Sequence, residues 1–156
     1  MQKAIDIADA LVALSERAEA PITYRKLCNL LYVASAIYAA KNGEKLFSDD
    51  ILIGKFGPYV KSVSQKYYIY GAAHIYDVRM PILDKKIMRI LNRIEKRYRF
   101  STAYSIKKII YDAKRPTSEI VTQMDLADLG ENLKLNKRDR LFELIVGCDG
   151  AYDTQI

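Results

Sequence analysis

The sequence predicts an all-α fold: one compact domain of about six helices, with at most one short β-hairpin. Three observations carry this expectation. Apolar residues recur at helical spacing through most of the chain, Pro and Gly fall at the ends of those stretches, and 156 residues suit one domain. Half of the side chains are hydrophobic, enough for a core without disulfides or metals.

Over residues 4–19, Ile5, Ala8, Leu11, Val12 and Ser15 fall at helical spacing, with Asp6, Asp9 and Glu16 outside. Early aspartates suit the positive end of a helix dipole, and Pro21 ends the element. Thr23 is placed to cap a second helix striped by Leu27, Leu30, Leu31, Ala34, Ile37 and Tyr38, with Asn42-Gly43 as its stop. Residues 52–56 are too few for a helix and read as a small strand or an extended loop. A Phe56-Gly57-Pro58 corner then opens a third helix, with Pro58 at its first position and Gly71 at its end.

Residues 72–83 look irregular. A helix is predicted over 83–98 with Ile87, Ile90, Leu91 and Ile94 inward. Ser101 is read as the cap of the next, which carries Ala103, Ile106, Ile110 and Ala113 and is stopped by Arg115-Pro116. Residues 117–135 are weakly patterned and broken by Gly130, and Asn136 is placed to cap a last helix over 137–146, ended by Gly147. The regular pattern places Leu27, Leu30, Leu31, Ile37, Val63, Ile87, Leu91, Ile94 and Ile106 in the core. Tyr32 and Phe56 are expected to pack together under the Gly-Pro corner.

Chemistry-bearing patterns are sparse. One histidine, His74, cannot supply a His-based metal cluster or relay, and it sits in a loop. Asp49-Asp50 reads as a polar loop, and the seven glycines are dispersed at element ends rather than gathered into a phosphate loop. Cys28 and Cys148 are far apart and outside any CxxC pair, which fits a reducing cytoplasm. The apolar run 32–40 falls short of the roughly 20 residues a bilayer needs, and the N-terminus lacks a basic leader, so no membrane partner is expected. No catalytic residue, metal or cofactor is expected.

Charge and aromatics point to a contact surface instead. Residues 85–115 carry 11 basic and 2 acidic side chains, whereas residues 116–156 carry 4 basic and 8 acidic. Within the block, Arg89, Arg93, Lys96 and Arg97 line one helix face, which suits a solvated surface, an acidic protein partner or the phosphates of a nucleic acid. Twelve tyrosines stand without a tryptophan, and tyrosine is the aromatic that tolerates both water and an interface. Tyr67 continues the inward stripe of Val60 and Val63, so Tyr68 and Tyr70 are the candidate aromatic anchors.

One stretch carries a resemblance. Lys26, Leu27, Leu30, Leu31, Tyr32 and Ala34, then Gly43, Leu46 and Phe47, then Gly57, Pro58, Val60, Val63, Tyr70 and Gly71 follow a fixed punctuation of helix, glycine stop, Gly-Pro corner and Tyr-Gly stop. This pattern resembles the Panacea domain, a mostly helical module of phage-associated proteins and of toxin–antitoxin pairs. The resemblance covers residues 23–71 well and 83–115 less closely, and residues 117–156 diverge from it. Asn29 stands where members often carry a second lysine, Ser64 where they tend to carry an aromatic, and Ile110-Tyr111 where many carry Thr-His. The resemblance implies a non-catalytic binding protein of phage or prophage type. It would be an antitoxin or proteolytic adaptor that neutralises a cognate toxin by direct contact. The alternative is a nucleic-acid-binding regulator using the 85–115 block. Oligomeric state is not legible in the sequence.

Overall fold

The computed structural model describes residues 1–134. Six α-helices and one hairpin follow in the order α1 (Ala4–Arg17), α2 (Tyr24–Asn42), β1 (Leu52–Gly54), β2 (Gly57–Tyr59), α3 (Lys61–Tyr67), α4 (Lys85–Tyr98), α5 (Ala103–Ala113) and α6 (Gln123–Lys134). The mostly helical expectation holds, as does the single hairpin. The count of six is met with a different sixth helix, because α6 occupies the stretch read as weakly patterned. The helix expected over 137–146 lies outside the described residues.

Helix α2 is the axis of the core because its apolar side chains fill more than one stripe. Leu27, Leu30, Leu31 and Ala34 are buried as their spacing predicts, and Cys28, Tyr32, Val33 and Ala36 are buried beside them. Ile37 and Tyr38, expected inside, are only half-buried. Thr23 accepts the Lys26 N–H at 3.3 Å, and Gly43 closes the helix in the left-handed conformation at φ 71°. Helices α1, α4, α5 and α6 and strand β2 all pack on α2. Burial raises the Cys28 thiol to about 11, so it behaves as a small core residue rather than a nucleophile.

The acids on the outer side of α1 hold other elements. Asp9 accepts the Tyr67 hydroxyl at 2.5 Å and the Lys66 ammonium at 2.9 Å, and Glu16 accepts the Asp77 N–H at 2.9 Å. Helix α1 stops at Arg17, short of the expected Glu19, which takes a positive φ of 58°. Asp49 is more than a polar loop residue. It accepts the Ala4 N–H at 3.1 Å and the Ser62 hydroxyl at 2.9 Å, tying the start of α1, where backbone N–H groups lack partners, to α3.

The Gly-Pro corner differs from its expected form. Gly57-Pro58-Tyr59 is strand β2, paired antiparallel with β1 in the register Leu52↔Tyr59, Ile53↔Pro58 and Gly54↔Gly57. Helix α3 starts only at Lys61, so Pro58 is not its first residue. The physical reason lies in the register. With a two-residue turn at Lys55-Phe56, Gly54 and Gly57 form the hydrogen-bonded pair and Pro58 falls in the next, non-bonded pair, where a missing N–H costs nothing. The backbone of residues 119–121 lines the other side of β1: Ile53 N–H donates to Glu119 O at 2.8 Å and Val121 N–H to Ile51 O at 2.9 Å.

Helix α6 follows directly and packs along α2 more extensively than any other described pair of elements. Its start is a reciprocal cap: Asp125 N–H donates to the Thr122 hydroxyl at 3.0 Å while Thr122 N–H donates to the Asp125 carboxylate at 3.3 Å. Leu126, Leu129 and Leu133 are buried at helical spacing. Gly130 does not break the helix; it sits where α6 crosses α2, and a Cβ there would overlap the Ala36 carbonyl and stand 2.7 Å from Ala40 Cβ. The cap of α5 is Thr102, whose hydroxyl accepts the Ser105 N–H at 3.0 Å, rather than Ser101. Helix α4 begins at Lys85 behind Asp84, two residues after the expected Leu83.

Candidate functional site

Most residues that carry the family resemblance build the scaffold. Leu27, Leu31, Tyr32 and Phe47 lie in the core, Gly57 and Pro58 are buried in the hairpin, and Gly43 and Gly71 end helical segments at the surface. Tyr32 does not pack with Phe56 as expected: Tyr32 is enclosed, while Phe56 is carried to the hairpin tip and is 56% exposed.

Lys26 has a different duty. Its side chain is buried, and its ammonium donates to the Arg99 carbonyl at 3.0 Å. Arg99 grips the buried Glu95 in a two-point pair, Nε to Oε2 at 2.8 Å and Nη2 to Oε1 at 2.5 Å. Burial lowers the Lys26 ammonium below its ordinary value, and the charge of Glu95 offsets part of that. One turn on, Asn29 donates from Nδ2 to the Ala103 carbonyl at 2.7 Å. Lys26 and Asn29 thus clasp the connector between α4 and α5 onto α2, leaving Phe100 and Tyr104 in solvent on either side of it.

The hairpin tip reaches the same end of α2. The Arg25 guanidinium lies 4.0 Å from the Phe56 ring centroid and 5.9 Å from that of Tyr24, and Lys55 approaches the Phe56 ring at 5.6 Å. Tyr24 meets Tyr68 edge to face at 6.4 Å. Gly57, at φ 116°, brings the tip against α5: a Cβ there would stand 3.0 Å from Lys107 Cδ and 3.8 Å from Asn29 Oδ1. The result is one face to which the end of α3 (Tyr68), α2 (Arg25), the hairpin tip (Phe56, Lys55) and α5 (Lys107) all contribute. Tyr68 is 70% exposed, as expected of an anchor, whereas Tyr67 is core. Tyr70 is exposed too, and tilts against Tyr67 at 6.0 Å.

The basic face of α4 is a separate feature. Arg89 and Arg93 are exposed, Lys96 and Arg97 are half-buried, and the Arg97 guanidinium lies 5.9 Å from the Tyr98 ring. The sequence therefore named Tyr68 and Tyr70 near the aromatic face but missed Arg25, Lys55, Phe56 and Lys107. A signal was present: residues 20–43, 51–71 and 96–111, which supply this face, hold 11 basic side chains and no Asp or Glu.

His74 is exposed and pairs backbone-wise with Thr23, its ring edge-on to Tyr76 at 6.5 Å. Among the described residues no group of three His, Cys, Asp or Glu side chains is placed to hold a metal ion, and no helix is long and apolar enough to cross a membrane. A cleft of about 330 Å³ lies between Asp49, Asp50, Leu52, Val60, Lys61 and Ile120, and the Asp49 carboxylate in it is already engaged by Ala4 and Ser62. No family model, curated protein or solved structure matches the chain.

Proposed function

We propose that this chain is a non-catalytic protein-binding module, a Panacea-like antitoxin or proteolytic adaptor of phage or prophage origin that contacts a cognate toxin directly in the cytoplasm. The observation that carries this reading is the exposed Arg25–Phe56 stack, bordered by Tyr24 and Tyr68 and mounted on the most buried helix of the fold. Exposed aromatic rings and an arginine held on a rigid support are the usual anchors of protein interfaces. Motif residues between Lys26 and Gly71, among them Leu27, Leu31, Tyr32 and Pro58, build that support.

The test is co-expression with the product of the adjacent reading frame. A protein of this class restores growth when that product is toxic, and the two purify as a complex. Absence of both effects contradicts the reading. A second reading, a nucleic-acid-binding regulator, draws on Arg89 and Arg93, exposed one turn apart on α4. Sequence-selective DNA binding abolished by Arg89→Glu with Arg93→Glu would favour it over the first.

A further inference from the structure

The charge of the aromatic face narrows the chemistry of what docks on it. Its three contributing stretches contain no carboxylate, although the whole chain has 19 acidic side chains. Acids outside those stretches reach three of their basic side chains: Asp9 holds Lys66, Glu95 holds Arg99 and Asp112 holds Lys108. By contrast, Arg25 and Lys55 at the Phe56 ring, and Lys107 beside the adjoining Gly57, form no ion pair with any described residue. Three cations near exposed rings thus have no ion-pair partner among the described residues.

We infer that the partner presents a carboxylate-rich protein segment to this face, its acids meeting Arg25, Lys55 and Lys107 while its apolar side chains cover Phe56 and Tyr68. The inference rests on the protein-binding reading above and specifies its chemistry. Arg25 is well suited to the task. Its guanidinium lies over Phe56 and makes no hydrogen bond or ion pair with a described residue, which leaves its N–H groups for a two-point grip on a carboxylate. A protein segment fits better than a nucleic acid strand, for which open ring faces would act as stacking platforms. Here Arg25 already covers one face of Phe56, Tyr68 is engaged with Tyr24, and Ile69 beside it is 85% exposed, an aliphatic contact that a phosphodiester cannot use.

The test titrates the full chain with three labelled probes: a peptide alternating Glu and Asp with Leu and Tyr, its Gln and Asn counterpart, and an oligo-dT strand of similar length. Fluorescence anisotropy gives affinity, and amide NMR shifts locate the contact. The acidic peptide should bind saturably and shift Arg25, Phe56 and Lys107, and the neutral peptide should not. Arg25→Glu with Lys55→Glu should weaken the acidic peptide about tenfold or more. Lys85→Glu with Lys86→Glu makes the same change in net charge at the start of α4, about 20 Å along that helix from the Arg99 connector, and should change affinity less than about twofold. Lys55→Glu alone, at the exposed turn, repeats the test should the double variant unfold. Equal loss in both double variants, equal binding of the neutral peptide, no saturable binding, or tighter oligo-dT binding through Arg25 and Lys55 each overturns the inference. The two levels separate cleanly. A complex with the adjacent product that survives Arg25→Glu with Lys55→Glu overturns the inference and leaves the binding reading standing. Acidic-peptide binding without such a complex supports the inference and overturns the antitoxin reading.

Discussion

Arg25 holds its guanidinium 4.0 Å from the centre of the Phe56 ring, although both side chains face solvent. Such a stack at an exposed site is worth about 0.5–1 kcal/mol, too little to explain why the fold carries a phenylalanine at a hairpin tip. The tip position itself follows from the register of β1 and β2, which leaves only Lys55 and Phe56 in the turn. Stability therefore gives little reason for this ring, and contact with another molecule gives a good one.

Tyr32 is the first test of the scaffold assignment. Its hydroxyl is buried with no hydrogen-bond partner among the described residues, and burial raises its ionisation well above the ordinary range, with Tyr111 and Asp125 adding to the effect. Removing an unpartnered buried hydroxyl spares a desolvation cost of about 1 kcal/mol. Tyr32→Phe should unfold at the same temperature or higher and bind its partner normally. A lower midpoint would show that the hydroxyl is used.

Glu95 is expected to matter far more. It is 6% exposed, grips Arg99 at two points and lies near the buried Lys26 ammonium. Deleting one member of a buried charge group costs about 3–5 kcal/mol. Glu95→Ala should therefore lower the denaturation midpoint strongly, and Glu95→Gln, which keeps the shape and part of the hydrogen bonding, should lower it less. Indistinguishable midpoints would mean that the clasp between α2 and the connector is incidental.

Gly130 tests the crossing of α6 over α2. A valine there meets the Ala36 carbonyl and Ala40 Cβ, both on the rigid core helix, so the two helices must separate. Overpacking of this kind costs about 1–3 kcal/mol, and urea denaturation of Gly130→Val should show it. A variant as stable as the parent would contradict the close crossing.

Asp125 gives the pH dependence. Burial opposes its ionisation, but hydrogen bonds from Thr122 and Thr117 outweigh this and hold the carboxyl below its ordinary value of 3.8. The folded chain thus releases this proton more readily than the unfolded one. The resulting stabilisation is full above pH 3.8 and is lost as pH falls through the folded-state value. Asp125→Asn should cost about 1 kcal/mol at neutral pH, as loss of a helix cap does, with the gap to the parent narrowing below pH 4. A gap that stayed constant with pH would contradict an ionised cap.

Much of this fold was legible because its signals are local. The Thr23 cap, the Gly43 stop and the 3.6-residue stripes of α1, α2 and α4 all act within a few residues. Helix α6 was missed although Leu126, Leu129 and Leu133 and the Thr122–Asp125 cap lay in the sequence, because Gly130 reads as a breaker until its neighbour across α2 is known. Pro58 misled for a related reason, since proline suits both a helix start and a non-bonded strand position, and only pairing with Ile53 decides. Of the candidate surface, Tyr68 was legible from its place off the Val60–Val63 stripe. Arg25, Phe56 and Lys107 are 31 and 51 residues apart in successive steps, and only the tertiary fold brings them to one face.

The most direct measurement is the affinity of the full chain for the adjacent gene product, by calorimetry, with Phe56→Ala and Tyr68→Ala as variants. Both side chains are exposed, so unfolding midpoints should change by less than the equivalent of about 1 kcal/mol. Each truncation is expected to weaken the complex by about tenfold or more, as loss of an interface anchor does. Full affinity in both variants, with the fold intact, would contradict an account that places the contact on the Arg25–Phe56 face.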